Sequence, residues 1–408
     1  MKRTGTGSPT VTRVLSGQLC TGCGLCAGIA GDAITMQTVA PGYSRPRQQG
    51  AVSAQTERAI AQSCPGAVVA PWQAAPHRHP YWGPYHRVLT SHATDSAVRY
   101  AGSSGGAITA LAIHALRSGM VDRVIHVVAD PDHPTRNLTT VSDTAEAVLA
   151  GAGSRYAASS PLVGIDQLLA DGRRFAFIGK PCDVSALRQL ATVDPRVNAL
   201  APVMLAFFCA GLPSHAGADR IIRDMGLEPE EVVRFRYRGN GWPGLTRAET
   251  ADGRFGEMRY ADSWGGHLSR EVQFRCKICS DAVGGVADVA AADAWYGGDS
   301  GYPQFEEQDG RSLTLTRTIR GEALLDAAVA AGDMVITPLA IEEIDLMQPA
   351  QARRKRMVAA RLAACAATLQ PRPQMRELDV GAAARLGSLK EAASNMAGTA
   401  RRILQGRR

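Results

Sequence analysis

The stretch LCTGCGLCAG at residues 19–28 decides how this chain is interpreted. It places Cys20, Cys23 and Cys26 at a spacing of three, and Cys64 follows in SCPGAV. Thiolates are soft ligands that suit iron–sulfur clusters and zinc. A triplet at this spacing with a remote Cys-Pro is typical of a ferredoxin-type 4Fe-4S cluster. Buried core cysteines explain this spacing poorly, so we expect the four residues to bind one cluster.

A second cysteine set lies further along the chain. Cys276 and Cys279 stand in RCKICSD, and Cys182 in GKPCD and Cys209 in FFCAG are their expected partners. A CxxC pair with two remote cysteines also describes structural zinc sites, so zinc stays an alternative for this set. Iron–sulfur is favoured because the first set already indicates electron transfer. The ninth cysteine, Cys365, is expected to be a core residue.

Length and composition allow two or three domains. The chain has 408 residues, 45% of them hydrophobic, and a net charge of +7. It has no apolar run of about 18 residues, which a membrane-spanning helix requires. The first 19 residues lack the apolar segment of a signal peptide. We therefore expect a cytoplasmic protein whose cysteines stay reduced and bind metal rather than forming disulfides.

Much of the positive charge lies near the C-terminus. Such runs are usually solvated helix faces, and the functional alternative is an acidic protein partner or an anionic membrane surface. No basic-aromatic recognition motif accompanies the charge, so we expect no nucleic-acid partner. The cations are Arg353, Arg354, Lys355, Arg356, Arg361, Arg401, Arg402, Arg407 and Arg408.

The sequence divides into four segments. Residues 1–75 are expected to form a ferredoxin-like 4Fe-4S module, in which glycines let the backbone turn and point amide N–H groups at sulfur. Residues 76–86 are rich in proline and aromatics and are interpreted as a linker, whose histidines are better explained as polar linker residues than as metal ligands. Residues 87–340 are expected to form an α/β domain, and residues 341–408 a helical, basic extension.

Strands and helices alternate in the α/β segment. A strand at 173–179 leads into a helix at 183–191, and another strand follows at 201–209. This alternation predicts a largely parallel sheet. Cys182 and Cys209 follow these two strands, and ligand sites in open α/β sheets lie beyond the carboxyl ends of strands. We expect the helix N-terminus to lower the pKa of Cys182 as well.

Three loops of small residues are candidate cofactor-binding segments. They are GSSGG at 102–106, GAGSRYAASSP at 151–161 and RYRGNGWPG at 236–244. The first opens a helix and can form an anion cradle, although a plain tight turn explains it equally well. The other two bring arginines, serines and a tryptophan. Phosphate needs N–H groups and a cation, a flavin ring needs an apolar or aromatic face, and the loops together can supply both.

These motifs resemble the beta subunit of coenzyme F-420 hydrogenase/dehydrogenase, a family of FAD and iron–sulfur proteins. The resemblance runs from about residue 85 to 340, and CTGCGLC in front resembles the family's ferredoxin-like module. The matching pieces, in family order, are SSGGAITAL (103–111), GSRYAASSP (153–161), IGKPCDVSALR (178–188), FFCAGLPS (207–214), FRYRGNGWPG (235–244) and RCKICSDAVGGVADVAAADAW (275–295).

The resemblance implies one FAD held against a 4Fe-4S cluster within the α/β domain, with the N-terminal cluster as a second electron carrier. The implied ligands of the FAD-proximal cluster are Cys182, Cys209, Cys276 and Cys279. The implied FAD-binding residues are Ser103, Ser104, Gly105, Gly106, Ser154, Arg155, Tyr156, Arg238, Gly241 and Trp242.

The family includes subunits that reduce F-420 and stand-alone, ferredoxin-dependent reductases of chlorophyll-type tetrapyrroles. Two clusters and one FAD in one chain fit the stand-alone type better, although the N-terminal region is shorter than expected for the tetrapyrrole reductases and the C-terminal extension has no assigned function. We therefore expect a reductase that passes electrons from a ferredoxin-type donor through two 4Fe-4S clusters to FAD and a small organic acceptor. Candidate proton donors beside the motifs are Lys180, His267 and Asp281.

Two other functions stay open at this point. One is an F-420-reducing beta subunit within a larger hydrogenase or dehydrogenase, and the other is a zinc-stabilised binding module with a basic tail. A homo-oligomer is compatible with each of them.

Overall fold

The computed structural model describes residues 7–295 and 304–406, so Arg407 and Arg408 of the basic C-terminus lie outside the described residues. Within the described ranges no helix is both long and apolar enough to cross a membrane. A mixed sheet of eight strands forms the centre of the α/β part.

The N-terminal part consists of three helices, a hairpin and a short strand. Ser8 and Ser53 precede two of the helices and accept hydrogen bonds from the N–H groups of Val11 and Thr56, as serine N-caps do. The elements are α1 (Pro9–Ser16), α2 (Leu25–Ala30), β1 (Ile34–Val39), β2 (Tyr43–Gln48), α3 (Ala54–Ser63) and β3 (Val68–Val69).

The segment interpreted as a linker forms a small antiparallel hairpin, β4 (His77–His79) and β5 (Gly83–Tyr85). Trp82 in its turn is fully buried, donates its Nε1–H to Asp345 at 2.9 Å and stacks on Phe208. Tyr81 and Trp82 of this segment belong to the main apolar cluster. Aromatic side chains bury a large apolar area and so stabilise the fold, and the segment is therefore part of the core rather than a solvated linker.

The eight-stranded sheet has the order β16-β6-β15-β14-β10-β9-β7-β8. The four strands β14, β10, β9 and β7 are mutually parallel, and the remaining four pairs are antiparallel. The strands are β6 (Arg87–Ala93), β7 (Arg123–Ala129), β8 (Asn137–Ser142), β9 (Phe175–Gly179), β10 (Val203–Phe207), β14 (Val289–Asp293), β15 (Ser312–Thr316) and β16 (Met334–Pro338).

The prediction of a largely parallel sheet is therefore wrong for more than half of the strand pairs. The loop from β7 to β8 is short, and a short loop joins antiparallel strands because a parallel pair needs a long crossover. The predicted elements around the two cysteines are confirmed. β9 leads into α8 (Pro181–Leu190), and β10 pairs with β9 in parallel, with Leu205 opposite Ile178.

Helices cover the sheet, and their buried faces carry its core. Leu111 and Ile113 on α5 pack with Leu324 and Leu325 on α13. The helices between β6 and β16 are α4 (Ser96–Ala101), α5 (Ala107–Arg117), α6 (Ala145–Ala150), α7 (Ile165–Ala170), α8, α9 (Arg196–Leu200), α10 (His215–Asp224), α11 (Tyr260–Asp262), α12 (Phe274–Lys277) and α13 (Ile319–Ala330).

A smaller antiparallel sheet carries the third candidate loop. Its strands are β11 (Val232–Arg236), β12 (Leu245–Thr250) and β13 (Phe255–Arg259). These strands lie outside the main sheet. The loop 237–244 connects β11 to β12 and reaches back to the end of β14.

The C-terminal part is helical, as predicted, with a non-helical break at 370–375. Here β17 (Gln374–Met375) pairs in parallel with β3, so the C-terminal part contacts the N-terminal part. The helices are α14 (Ile344–Met347), α15 (Pro349–Ala367), α16 (Val380–Arg385) and α17 (Leu389–Leu404).

Candidate functional site

A cavity of about 280 Å³ opens beyond the carboxyl ends of the parallel strands. The last residues of three of these strands line it, together with the residues that follow two of them, in the segments 178–180, 207–212 and 291–293. This is where an open α/β sheet places its ligands. Cys209 lies in the second of these segments, so one cysteine of the second set lines the cavity directly.

The first two candidate loops meet at the cavity. Ser154 donates its backbone N–H to Ser103 Oγ at 2.5 Å, which ties one loop to the other. Gly105 donates its N–H to Ser312 Oγ at 2.9 Å, which ties the first loop to β15. A Cβ at Gly105 would stand 2.5 Å from the carbonyl oxygen of Ser91, so only glycine fits there.

The start of α5 faces the same cavity. Gly106 has a φ of +74° and provides no side-chain cap, and Gly106, Ala107, Ile108 and Thr109 all line the cavity. The first N–H groups of a helix have no partner within the helix, and together with the helix dipole they attract anions. The structure therefore places a helix N-terminus at the cavity, at the loop that the sequence suggested as an anion cradle.

The two candidate arginines are already bound within the protein. Arg155 donates to the Asn137 side chain and to the carbonyls of Pro134, Arg136 and Phe235, at 2.6–3.1 Å. These contacts occupy the guanidinium donors, so Arg155 holds the loop in place rather than presenting a free cation. Burial also lowers the pKa of Arg155, although it remains charged.

Arg238 is 2% exposed and binds Asp293 with two parallel hydrogen bonds of 2.7 and 2.8 Å. Its guanidinium lies 4.3 Å from the ring centroid of Tyr260 and 4.9 Å from that of Trp295. Both rings line the cavity and form an aromatic wall. Arg238 therefore fixes this wall at the end of β14.

Gly105, Gly241 and Trp242 stand behind the cavity lining. Trp242 stacks on Trp295 at 4.8 Å and donates its Nε1–H to Asp293 at 2.8 Å, so it supports the aromatic wall from outside. Gly241 has a φ of +117°, and a Cβ there would stand 2.3 Å from the Glu307 carboxylate. The other candidate residues of the three loops line the cavity.

Lys180 is the one candidate proton donor that lines the cavity. Its Nζ binds Asp183 at 2.7 Å and Ser159 at 3.2 Å, and both members of the ion pair are buried. Burial disfavours the charged form, but Asp183 and the Cys182 sulfur outweigh burial and raise the pKa of Lys180. A positive charge is therefore held at the cavity wall beside the second cysteine set.

His267 and Asp281 lie away from the cavity lining. His267 sits in the turn Ser263–His267 and faces Asp224 at 3.3 Å. Asp281 is buried and accepts hydrogen bonds from the N–H groups of Val283 and Gly285, which shapes the turn after Cys279. Neither position suits a proton donor to a group in the cavity.

The first cysteine set is assembled around tight turns. Gly22 and Gly24 have φ values of +81° and +83°, which only glycine adopts without strain. Burial raises the pKa of Cys20 and Cys23, and the N–H groups of Gly22 and Leu25 donate to these sulfurs and oppose that rise. Burial likewise raises the pKa of Cys64 to about 11, against the N–H groups of Gly66 and Ala67. The sulfurs are thus buried and surrounded by N–H donors.

The second set is assembled by three separate parts of the chain. Cys182 starts α8, Cys209 follows β10, and Cys276 and Cys279 flank the end of α12. Burial raises the pKa of Cys209 to about 12, with a further contribution from Cys276. The expected lowering of the Cys182 pKa is wrong: burial, reinforced by Asp183, raises it well above the usual value despite the helix N-terminus.

The chemistry of the donor sets suits an iron–sulfur cluster, because each set supplies four cysteine sulfurs. The charges of the four cysteines in each set act on one another, so each set is a local group. Yet nowhere in 7–295 or 304–406 do three His, Cys, Asp or Glu side chains approach closely enough to hold a single metal ion.

The two sets are neighbours. Arg45 donates to the Cys20 sulfur and, at 2.9 Å, to the Gln273 side chain, which in turn lies 3.6 Å from the Cys276 sulfur. Arg275, which is 3% exposed, donates to the carbonyl of Pro65 at 3.1 Å, directly after Cys64. Two polar connections, the second of them buried, therefore join the sets.

Sequence reasoning missed several residues of the site. Asp293 ends β14 and Trp295 follows it, both in the last matching motif, and the rule that sites lie at strand ends could have found them. Gln348 and Gln351 also line the cavity, from the start of α15. No sequence signal placed this helix at the cavity, because it is distant in the chain from every other lining residue.

Comparison with known proteins agrees with these observations. Residues 88–165 match the family model for the N-terminal part of the coenzyme F420 hydrogenase/dehydrogenase beta subunit, and residues 172–342 match the model for its C-terminal part. The chain is 25% identical over 283 residues to the coenzyme F420 hydrogenase subunit beta of Methanococcus voltae, covering 67% of this chain and 92% of that protein.

Two further matches cover different fractions of the chains that are compared. The chain is 25% identical over 247 residues to the chloroplastic 7-hydroxymethyl chlorophyll a reductase of Oryza sativa subsp. japonica, covering 59% of this chain and 50% of that protein. A chain of the F420-reducing [NiFe] hydrogenase complex from Methanosarcina barkeri superposes with a TM-score of 0.55 at 22% identity. This match covers 74% of our chain and 99% of that one.

Fold and cavity together define a mixed α/β protein with a cavity at the carboxyl edge of a large mixed sheet. The chain belongs to the coenzyme F420 hydrogenase/dehydrogenase beta subunit family. Its characterised relatives are oxidoreductases.

Proposed function

We propose that this chain is an iron–sulfur flavoprotein reductase. It would pass electrons from a ferredoxin-type one-electron donor through two 4Fe-4S clusters to FAD and on to a small organic acceptor. The observation that carries the proposal is that Cys209 lines the same cavity as the two loops around Ser103 and Ser154. When bound, iron–sulfur clusters carry single electrons, and a flavin exchanges one or two electrons with its partners.

The residues of the cavity have complementary roles in this proposal. The free N–H groups at the start of α5 would bind the diphosphate of FAD. Trp295 and Tyr260 would provide an apolar wall for a ring system and exclude water from it. Lys180, held by Asp183, keeps a positive charge at the wall, which favours a negatively charged reduced flavin and makes Lys180 our candidate proton donor.

The eight cysteines would hold the clusters in two groups of four. Cys20, Cys23, Cys26 and Cys64 would bind the first cluster, and Cys182, Cys209, Cys276 and Cys279 the second. The Arg45–Gln273 connection between the groups supports electron transfer from one to the other.

A second candidate function is the F420-reducing beta subunit of a multi-subunit hydrogenase or dehydrogenase. The match that covers 92% of the Methanococcus voltae protein favours it. The two functions differ in whether this chain works alone, so a requirement for a co-purified partner and reduction of F420 would favour the subunit.

The test is an anaerobic purification followed by an absorbance spectrum and counts of iron, sulfide, zinc and FAD. We expect about eight irons and one FAD per chain. About four irons with zinc would make one set a structural site, and a colourless protein without iron or flavin would refute the proposal. A reduced ferredoxin-type protein should then reduce the bound FAD without another subunit.

A further inference from the structure

The basic run at 353–361 lies on α15, beyond both ranges that match the family. The sequence suggests a solvated face for this run or a surface for an acidic partner. The structure shows instead that Lys355 is 6% exposed and that Arg354 and Arg361 are half-buried. Arg353 on the same helix is exposed and pairs with Glu391 of α17 at 2.6 Å. Of the five cations in the run, Arg353 thus points outward and Arg354, Lys355 and Arg361 point inward. The fifth, Arg356, lies 5.6 Å from the ring centroid of Tyr81.

The three inward cations bind carbonyl oxygens beside the second cysteine set. Arg354 donates to the carbonyl of Cys209 at 2.8 Å and to that of Ala210. Arg361 donates at 2.7 Å to the carbonyl of Lys277, which stands between Cys276 and Cys279. Lys355 reaches the carbonyl of Ser280, the residue after Cys279. One helix thus holds the two chain segments that carry three of the four cysteines.

These cations are not paired with carboxylates. In the part of the chain that the structure describes, Arg354, Lys355 and Arg361 form no ion pair. Burial, together with Arg354 and Arg402, lowers the pKa of Arg361 to about 10, so these positive charges oppose one another. Cations taken out of water are costly unless an anion compensates them. A cluster bound by four thiolates is the anion that this arrangement suits.

We propose that α15 is a positioning element of the second cysteine set. Its Arg354, Lys355 and Arg361 hold the cysteine segments and supply positive charge that stabilises the more negative, reduced form of a cluster bound there. The inference rests on the proposed function and adds a role for a segment outside the matched family ranges. Charge and hydrogen bonding around a cluster are among the factors that set its reduction potential.

The same helix ties this set to the cavity. Gln348 precedes α15 and Gln351 lies in its first turn, and both line the cavity. Gln348 also donates to the carbonyl of Asp293 at 2.7 Å. Because a helix is rigid over this length, α15 fixes how the second cysteine set and the cavity wall are spaced.

The experiment is a potentiometric titration of the full-length protein, purified anaerobically and followed by electron paramagnetic resonance. We compare Arg354→Met, Arg354→Lys and, as the matched control on the same helix, Arg353→Met. We expect Arg354→Met to lower the reduction potential of the second cluster by at least about 59 mV. For a one-electron couple this is a tenfold increase in the ratio of oxidised to reduced cluster at a given potential. Arg354→Lys should recover most of the shift, and Arg353→Met should change the ratio less than threefold.

Arg361→Met provides a second variant in case Arg354→Met does not fold, and we expect a shift in the same direction. Loss of about four irons from Arg354→Met, but not from Arg354→Lys or Arg353→Met, also supports a positioning role. Potentials of Arg354→Met and Arg361→Met equal to that of Arg353→Met would overturn the inference. A wild-type protein with no second cluster signal would instead overturn the proposed function, and the inference with it.

Discussion

Replacing Arg238 by methionine tests whether the aromatic wall depends on one buried ion pair. Arg238 is 2% exposed, and its guanidinium donates to both carboxylate oxygens of Asp293 and to the carbonyl of Pro243, at 2.7–2.8 Å. Tyr260 and Trp295 flank the guanidinium at 4.3 and 4.9 Å. Methionine removes the charge and these hydrogen bonds but keeps most of the volume.

The cost follows from the Asp293 carboxylate that is left behind. Breaking a buried ion pair by removing one partner costs about 3–5 kcal/mol, because the other charge stays buried and unpaired. Asp293 is 17% exposed and keeps its bond from Trp242, so we expect the lower end, about 3 kcal/mol. Asp293→Asn removes the remaining charge, so the double variant Arg238→Met/Asp293→Asn should recover more than about 1 kcal/mol of this loss.

The assay is a urea titration of the wild type, the two single variants and the double variant. The unfolding transitions followed by fluorescence and by circular dichroism must coincide for the free energies to be comparable. FAD content after purification gives a second readout, and we expect Arg238→Met to lose flavin. A loss below about 1 kcal/mol for Arg238→Met would refute the reasoning, as would a double variant no more stable than the single one.

Three further predictions concern the cysteines, the first loop and pH. Cys276→Ser should lower the iron content by about four per chain and stop a donor from reducing FAD. Cys365→Ser, at a fully buried core position, is the control and should keep all iron. Equal iron content in the two variants would contradict the ligand assignment. Gly105→Ala should cost about 1–3 kcal/mol and reduce FAD binding, because its Cβ would stand 2.5 Å from the Ser91 carbonyl oxygen; a melting temperature and FAD content like wild type would count against it. Burial lowers the pKa of His215 from 6.5 to about 4. Because this folded-state pKa is below the unfolded one, stability is full above about pH 6.5 and falls towards pH 4. The free energy of unfolding should be about 1 kcal/mol lower at pH 5 than at pH 7.5, allowing for partial exposure of the ring. Denaturant titrations at the two pH values should show a smaller decrease for His215→Gln than for wild type. An equal decrease in both proteins would exclude the histidine as its source.

Several features of the protein follow from local sequence. The spacing of Cys20, Cys23 and Cys26 indicates a ligand set because the chain between the ligands is too short to permit many other geometries. The strand and helix around Cys182 are readable from hydrophobic periodicity. The proximity of Cys182 and Cys209 follows from a rule of topology, since both residues follow strands that pair in parallel.

Other features depend on contacts between distant parts of the chain. Arg155 and Arg238 looked like cations for a ligand, but each is bound within the protein. The candidate acids His267 and Asp281 stand beside motif residues in sequence and yet lie outside the cavity lining. Sequence neighbourhood did not predict these positions, because a side chain's partners are set by the way that separate elements come together.

The basic helix α15 gives the clearest contrast. Its composition alone suggests a solvated face, since lysine and arginine are costly to bury. Arg354 nevertheless reaches the carbonyl of Cys209, a residue 145 positions earlier in the chain. Ligand spacing and hydrophobic periodicity are properties of short stretches of sequence, so the cysteine sets and the elements beside them could be predicted from the sequence. The tertiary structure alone decides which charged side chains are buried and which groups they contact, because it determines where backbone carbonyl oxygens are available as hydrogen-bond acceptors.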